Sequence, residues 1–241
     1  MNPIASFTTA PLTEIRAVIF DLDGTLIDSM PMVLRAFAHA LAPFRPDLDG
    51  SGIFQRLGGP PRRTFFELIG NEANADEAMR RLEAFGFENG SSVQPFDGMR
   101  RLLEALQADG LQLAIWTGRD RMTTEAIVAA HDLAGLFKTV VCGDDLPTHK
   151  PHPRGLQEIL ARLGLQPHQA LYAGDADADV HGGADAGVRT VLINHGREVE
   201  AALVQRAWQV VDTPAQAYAL ISAAVGLTAI GEERASRGVE S

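Results

Sequence analysis

The chain has 241 residues, 46% of them hydrophobic and 22% charged, with a net charge of −10 and a pI near 5.1. That balance suits one large domain, or one with a smaller domain inserted, and excludes wholesale disorder; an acidic surplus with no basic block argues against a nucleic-acid partner. A single cysteine, Cys142, excludes an internal disulfide framework and a cysteine-rich zinc site, and suits a reducing compartment.

The predicted elements alternate along the chain. A strand over 17–20 (Ala-Val-Ile-Phe) runs into Asp21. Helical patterns follow over 30–41, 59–69 and 76–88, with no convincing strand between 28 and 95. Next comes a helix over 98–108, whose apolar Met99, Leu102, Leu103 and Leu106 recur at helical spacing. A strand over 111–116 leads into Thr117-Gly118, a helix spans 119–133, and a strand over 139–142 leads into Gly143-Asp144. A helix over 153–163 places Leu156, Ile159, Leu160 and Leu163 on one face, and a strand over 170–173 leads into Gly174-Asp175. Strands over 188–193 and 208–211 complete the series. Near-continuous apolar strands read as buried on both faces, and their alternation with helices predicts an α/β fold, a doubly wound parallel sheet. The boundaries that follow are 14–27 and 96–226 for the core, 28–95 for an inserted helical cap, and 1–13 and 227–241 for flexible ends. No apolar run approaches the roughly 18 residues of a membrane span. Residues 1–13 lack a basic start followed by an apolar stretch, so no signal peptide, no membrane partner and a cytoplasmic location are expected.

The sharpest chemical signal is Asp21-Leu22-Asp23-Gly24-Thr25-Leu26. Residues two apart in a strand point to the same side, so Asp21 and Asp23 start together where the strand ends. The carboxyl ends of parallel strands are where such sheets hold ligands. Two close carboxylates repel unless a cation lies between them, and oxygen donors suit Mg2+. Reading both as caps of the next turn leaves unexplained the matching pieces at other strand ends. Thr117 offers a hydroxyl, and the amides of Gly118 and Arg119 open a helix able to bind an anion. Lys150, before Pro151, brings a positive charge; Asp175 and Asp179 bring further carboxylates. Anion donors, a lysine and an acidic metal set describe phosphoryl transfer.

These residues resemble the four motifs of the haloacid dehalogenase superfamily, in its phosphatase branch with a helical cap after the first strand. The motifs are Asp21-Leu22-Asp23-Gly24-Thr25, Thr117-Gly118, Lys150-Pro151 and Gly174-Asp175 with Asp179, in order, with intervals of 96, 33 and 25 residues from Asp21 to Thr117 to Lys150 to Asp175. Gly59-Pro60-Pro61 with Thr64-Phe65 resembles a cap motif of the same branch, whose members include phosphoglycolate phosphatases. The resemblance implies that Asp21 is the nucleophile and forms an aspartyl-phosphate, and that Asp23 is the general acid and base. It implies Mg2+ held by Asp21, the main-chain carbonyl of Asp23 and Asp175, with Asp179 a further ligand or a supporting partner. Thr117, Gly118 and Lys150 would bind the phosphoryl oxygens. An Asp at 23 favours a phosphatase or phosphomutase over a dehalogenase, which needs no proton donor there. Ala176 stands where many relatives carry Ser, and Trp116 is bulkier than expected before the phosphate-binding Thr.

Other signals weaken on inspection. Asp175, Asp177 and Asp179 open like a calcium loop, but Val180 and Ala186 occupy its Gly and Glu positions. His149 and His152 lack a third ligand of matching type, and Cys142 reads as a small buried hydrophobe. In the cap stretch, Arg56, Arg62 and Arg63 read first as a solvated face. The sharper expectation is that Arg62 and Arg63 select an anionic substrate. The expected activity is a Mg2+-dependent phosphatase acting on a small phosphorylated metabolite. The alternatives are a phosphomutase of the beta-phosphoglucomutase kind or a non-catalytic binding module of the same fold.

Overall fold

A computed structural model describes residues 12–54, 61–89 and 92–227. In chain order its elements are β1 Ala17–Phe20, β2 Ile27–Asp28, α1 Met30–Leu41, α2 Gly50–Phe54, α3 Pro61–Ile69, α4 Glu72–Asn89, β3 Gln94–Pro95, α5 Met99–Ala108, β4 Gln112–Trp116, α6 Arg121–Ala130, β5 Thr139–Val141, α7 Arg154–Leu163, β6 Ala170–Gly174, α8 Asp177–Ala186, β7 Arg189–Ile193, α9 Ala201–Arg206, β8 Gln209–Val211 and α10 Pro214–Ala224. Each of the six predicted strands lies within a residue of its expected place. Residues 55–60, with Arg56, Gly59 and Pro60, and the terminal stretches 1–11 and 228–241 lie outside the described residues.

The chain divides into two compact units. The described part of the first is 12–27, Pro95–Arg121 and 132–227. It carries a six-stranded, all-parallel sheet in the order β5-β4-β1-β6-β7-β8. β1 sits at the centre, with Ala17 aligned to Gln112 on β4 and to Ala170 on β6. Its four residues are wholly buried, because parallel strands carry helices on both faces. One layer of core joins Ile19, Trp116 and Tyr172 to Leu156, Ile159 and Leu160 of α7. Each fully buried aliphatic side chain there contributes about 1.5–3 kcal/mol. The switch in strand order between β4 and β6 falls on either side of β1, so the carboxyl end of β1 is the natural place for a ligand.

The second unit is Asp28–Gln94 with Met122–His131. Phe37, Ala40 and Leu41 of α1, Phe65 and Leu68 of α3, and Ala75 and Ala78 of α4 close a core of their own. The Phe37 and Phe65 rings meet at 5.0 Å and 40°, an aromatic pair in tilted geometry. The sequence reading assigns all of 96–226 to the core, whereas most of α6 clusters with the second unit. His131, just past α6, places Nε2 2.8 Å from the carbonyl of Val93 in that same unit.

Two strands of two residues each, β2 and β3, pair with each other where the predicted helical insertion begins and ends. Two residues are too few to show an alternation. Helix α8 is also faint in sequence, since Gly182 and Gly183 lower its propensity. They are there for space: a Cβ on Gly182 would strike the Trp116 ring, and one on Gly183 would strike Thr190.

Candidate active site

The acidic cluster, Lys150, Thr117 and Arg119 lie in the first unit. Asp21 continues β1 by donating its amide to the Ala173 carbonyl at 2.8 Å, so its carboxylate leaves the sheet at the strand end. Then the chain turns sharply. Gly24 takes φ +69°, and any Cβ there would collide with the Asp175 carboxylate, so only glycine lets the two strand ends approach.

Lys150 Nζ reaches between two buried carboxylates, 2.6 Å from Asp21 Oδ1 and 2.7 Å from Asp179 Oδ1. The Tyr172 hydroxyl donates to Asp179 Oδ1 at 2.6 Å, and the Ala176 amide donates to Asp179 Oδ2 at 3.0 Å. Both oxygens of Asp179 are thus engaged by protein donors. The ammonium also lies 4.9 Å from the centre of the Trp116 ring and 5.7 Å from that of Tyr172, within cation–π range. The bulky Trp116 therefore does more than fill core: it forms one wall of the lysine's seat, with room supplied by Gly155 and Gly182. Burial by itself would lower the Lys150 pKa, but Asp179 and Asp21 outweigh it and keep the ammonium charged.

Asp21, Asp175 and Asp179 each bring one oxygen within 4.8 Å of the others. Burial pushes Asp21 well above the usual carboxylate range, against the pull of Lys150 and with Asp179, Asp175 and Asp23 adding to the rise. Asp175 is pushed up to about 7, chiefly by burial and next by the charge of Asp179. One lysine does not neutralise this cluster. Three hard oxygen donors with surplus negative charge fit a divalent cation such as Mg2+.

Asp23 faces a different partner. Arg119 holds it in a fork, donating from Nε to Oδ2 at 3.0 Å and from Nη2 to Oδ1. The sequence reading used only the main-chain amide of Arg119. In the structure that amide donates to Thr117 Oγ1 at 3.1 Å, and its carbonyl accepts from Gly143 at 2.8 Å. Thr117 is buried, and its own hydroxyl proton remains to donate. Thr117 and Gly118 follow β4, next to β1 in the sheet. The signal for Arg119 was present, a charged residue directly after Thr117-Gly118, but nothing in the spacing shows which way it turns. Arg197 was also missed: its Nη2 donates to the Asp175 carbonyl at 3.2 Å and to Asp177 Oδ1 at 2.5 Å. That pair, and the helical course of the chain from Asp177, fit the rejection of a calcium loop. His149 lies 2.7 Å from the Gly143 carbonyl through Nδ1, and His152 Nδ1 accepts from the Arg154 amide at 3.2 Å.

The structure thus gathers Asp21, Lys150, Asp175 and Asp179 at the strand ends and sets Asp23 on Arg119. Arg62 and Arg63, on α3 of the second unit, are engaged there in exposed pairs. Arg62 bonds Asp76 at 2.8 Å and Glu72 at 3.1 Å, and Arg63 bonds Glu67 at 2.8 Å.

Known proteins resemble this chain in sequence and in fold. The family of haloacid dehalogenase-like hydrolases matches residues 18–193. Pyrophosphatase PpaX of Bacillus cereus (strain AH820) is 30% identical over 182 residues, covering 75% of this chain and 84% of its own. PpaX of Anoxybacillus flavithermus is 31% identical over 178 residues, covering 73% of this chain and 82% of its own. Among solved structures, one from Haemophilus somnus described as a "predicted phosphoglycolate phosphatase" superposes with a TM-score of 0.73 at 24% identity, over 87% of this chain and 99% of that one. One from Thermotoga maritima, provisionally described as a beta-phosphoglucomutase, gives 0.74 at 22% identity, over 86% of this chain and 99% of that one. These two likenesses concern the fold. With a family match running from β1 through β7, the chain belongs to the haloacid dehalogenase-like hydrolases and is an enzyme of that family.

Proposed function

We propose that this hydrolase is a Mg2+-dependent phosphatase that cleaves a small organic phosphomonoester, of the phosphoglycolate phosphatase kind, through an aspartyl-phosphate on Asp21. The observation that carries the reading is the seating of Lys150 Nζ against Asp21, 2.6 Å away, inside a cluster of three carboxylates at the strand ends. A carboxylate pinned beside a fixed ammonium is oriented as a nucleophile, and the same charge meets the incoming phosphoryl oxygens. Relatives named pyrophosphatase widen the candidate substrates to include a phosphoanhydride.

In the first half-reaction an Asp21 oxygen attacks phosphorus, the bond from phosphorus to the leaving oxygen breaks, and Asp23 supplies that oxygen's proton. In the second, Asp23 takes a proton from water as the water oxygen bonds to phosphorus. The bond from phosphorus to Asp21 then breaks, releasing inorganic phosphate and restoring the carboxylate. Thr117, the Gly118 amide and Lys150 bind the transferring oxygens. Asp21, Asp175 and the Asp23 carbonyl would hold Mg2+, which offsets the mutual repulsion of carboxylates and phosphate dianion. Asp179 fixes Lys150 and is a further ligand or a supporting partner of the cation. A selective role for Arg62 and Arg63 in the second unit is the rival reading of specificity, and a chain with one cysteine suits the reducing cytoplasm as its compartment.

The test is chemical trapping. Wild-type protein mixed with radiolabelled substrate and quenched in acid should carry phosphate on Asp21, and Asp23→Asn should accumulate it, since water then lacks its base. Turnover by wild type with no label on either protein would remove the covalent route. Phosphate release with p-nitrophenyl phosphate, in Mg2+ and without a sugar-phosphate activator, separates a phosphatase from a phosphomutase.

A further inference from the structure

We propose that Arg119 reads the leaving group: the site selects substrates whose leaving group carries a second anion near the scissile oxygen, a carboxylate or a phosphate, by offering it the guanidinium that holds Asp23. The proposal rests on the phosphatase reading and gives it a substrate class.

The geometry is specific. Arg119 spends its Nε and Nη2 hydrogens on the two oxygens of Asp23. Its Nη1 has no partner among the described residues, and its side chain keeps 15% of its exposure. The backbone beneath it is tied on both sides, by its amide to Thr117 Oγ1 and by its carbonyl to the Gly143 amide. The guanidinium is therefore presented from a fixed base. It stands beside the acid/base carboxylate rather than the nucleophile, and Lys150 holds the opposite arrangement between Asp21 and Asp179. One cation serves the phosphoryl group that stays on the enzyme; the other stands where the leaving group departs.

The fork holds both oxygens of Asp23, the groups that must reach the leaving oxygen. A leaving group with its own anion competes for the fork, because guanidinium matches carboxylate and phosphate through two parallel hydrogen bonds. Accepting it frees an Asp23 oxygen to face the scissile bond. In phosphoglycolate the carboxylate lies one carbon from the leaving oxygen, and in pyrophosphate the second phosphoryl group is bonded to it directly. Both fall within reach of a guanidinium that already touches the proton donor. The p-nitrophenyl group brings no such anion. The arginines of α3 lack this setting: each is exposed and paired with carboxylates of its own unit.

The experiment measures kcat/KM for pyrophosphate, phosphoglycolate and p-nitrophenyl phosphate in wild type, Arg119→Gln, Arg119→Lys and the Arg62→Ala/Arg63→Ala double variant. For Arg119→Gln we expect the preference for the two substrates that carry a second anionic group over p-nitrophenyl phosphate to fall by about 10- to 100-fold, the worth of a charge-assisted contact, mostly through KM. Arg119→Lys should keep part of it, having the charge without the fork. A binding measurement removes dependence on turnover: calorimetry with 3-phosphonopropionate against propylphosphonate, which lacks the carboxylate. Wild type should favour the former, and Arg119→Gln should erase the difference. Equal losses on all three substrates, with the two phosphonates still distinguished, would make Arg119 only a support for Asp23 and overturn the proposal. So would a preference that moves in the Arg62/Arg63 variant and not in Arg119→Gln. Failure of wild type to cleave any of the three substrates would count against the phosphatase reading instead, while the phosphonate pair still reports on Arg119.

Discussion

Each unit of the molecule holds a triad with one cation between two carboxylates, and the settings are opposite. Lys150 lies between Asp21 and Asp179 with side chains only 12%, 9% and 1% exposed. Arg62 lies between Glu72 and Asp76 with side chains 51%, 71% and 47% exposed. Water solvates the second triad whether or not its members meet, so exposed pairs of this kind contribute about 0–1 kcal/mol. The first triad has lost its water, and desolvation offsets much of the attraction gained. Burying three charges beside the half-buried Asp175 is therefore poorly explained by stability. It is well explained by a function needing a fixed ammonium and unneutralised carboxylates in one place.

The strongest way to test that contrast is to remove the proposed nucleophile. Asp21→Asn keeps the shape and loses the anionic oxygen, and kcat should fall by more than about a hundredfold, a barrier increase above about 2.7 kcal/mol. Retention of more than a hundredth of the wild-type rate would dismiss Asp21 as nucleophile.

Next in size is the buried cation. Lys150→Met leaves Asp21 and Asp179 buried without it, and urea denaturation should show a loss of about 3–5 kcal/mol. The matching Arg62→Met in the exposed triad should cost less than about 1 kcal/mol. Similar losses for the two variants would erase the distinction drawn between them.

The pH dependence of stability sharpens the same point. Folded Asp175 keeps its proton up to about pH 7, while an unfolded Asp releases it near 4. Between those values the folded state binds more protons, so this group's contribution to stability is present at low pH and is lost as pH rises through about 7. Asp21, also raised, acts in the same direction. The melting temperature of EDTA-treated protein should show this fall between pH 5 and 7.5, and Mg2+ should restore what is lost at the upper end. Absence of a Mg2+ effect at pH 7.5 would speak against a cation site at this cluster.

A smaller effect is expected at Tyr172. Tyr172→Phe removes the hydrogen bond to Asp179 and leaves the ring against Lys150, at a cost of about 1–3 kcal/mol. If the hydroxyl acts by holding Asp179 and thereby Lys150, kcat should drop more than the affinity for substrate. The Arg62→Ala/Arg63→Ala variant should melt within a few degrees of wild type, because each arginine gives up only exposed partners.

Much of this architecture can be read before any coordinates. Fully buried parallel strands need continuous apolar residues, so the run from Ala17 to Phe20 and its counterparts announce themselves, as does the acidic pair that ends the first. The short ribbon of β2 and β3 offers no such pattern, and glycine-bearing α8 and all-round apolar α10 show no clear stripe to find. The side-chain roles of Arg119 and Tyr172 stay hidden for another reason. Their importance lies in partners 96 residues away for Arg119 with Asp23, and across a strand-to-helix turn for Tyr172 with Asp179.

Residue types and their order are written along the chain: an acidic pair after the first strand, a threonine after another, then a lysine, then a second acidic set. Period and spacing are local properties of the chain, and covalent geometry carries them directly into strands and strand ends. Which charges share a buried space is set by packing in three dimensions. Packing put Lys150 between Asp21 and Asp179, turned Arg119 onto Asp23, seated the ammonium against Trp116 and Tyr172, and left Arg62 and Arg63 in exposed pairs on α3. Those outcomes depend on side-chain directions and on the exclusion of water, which no interval along a chain encodes.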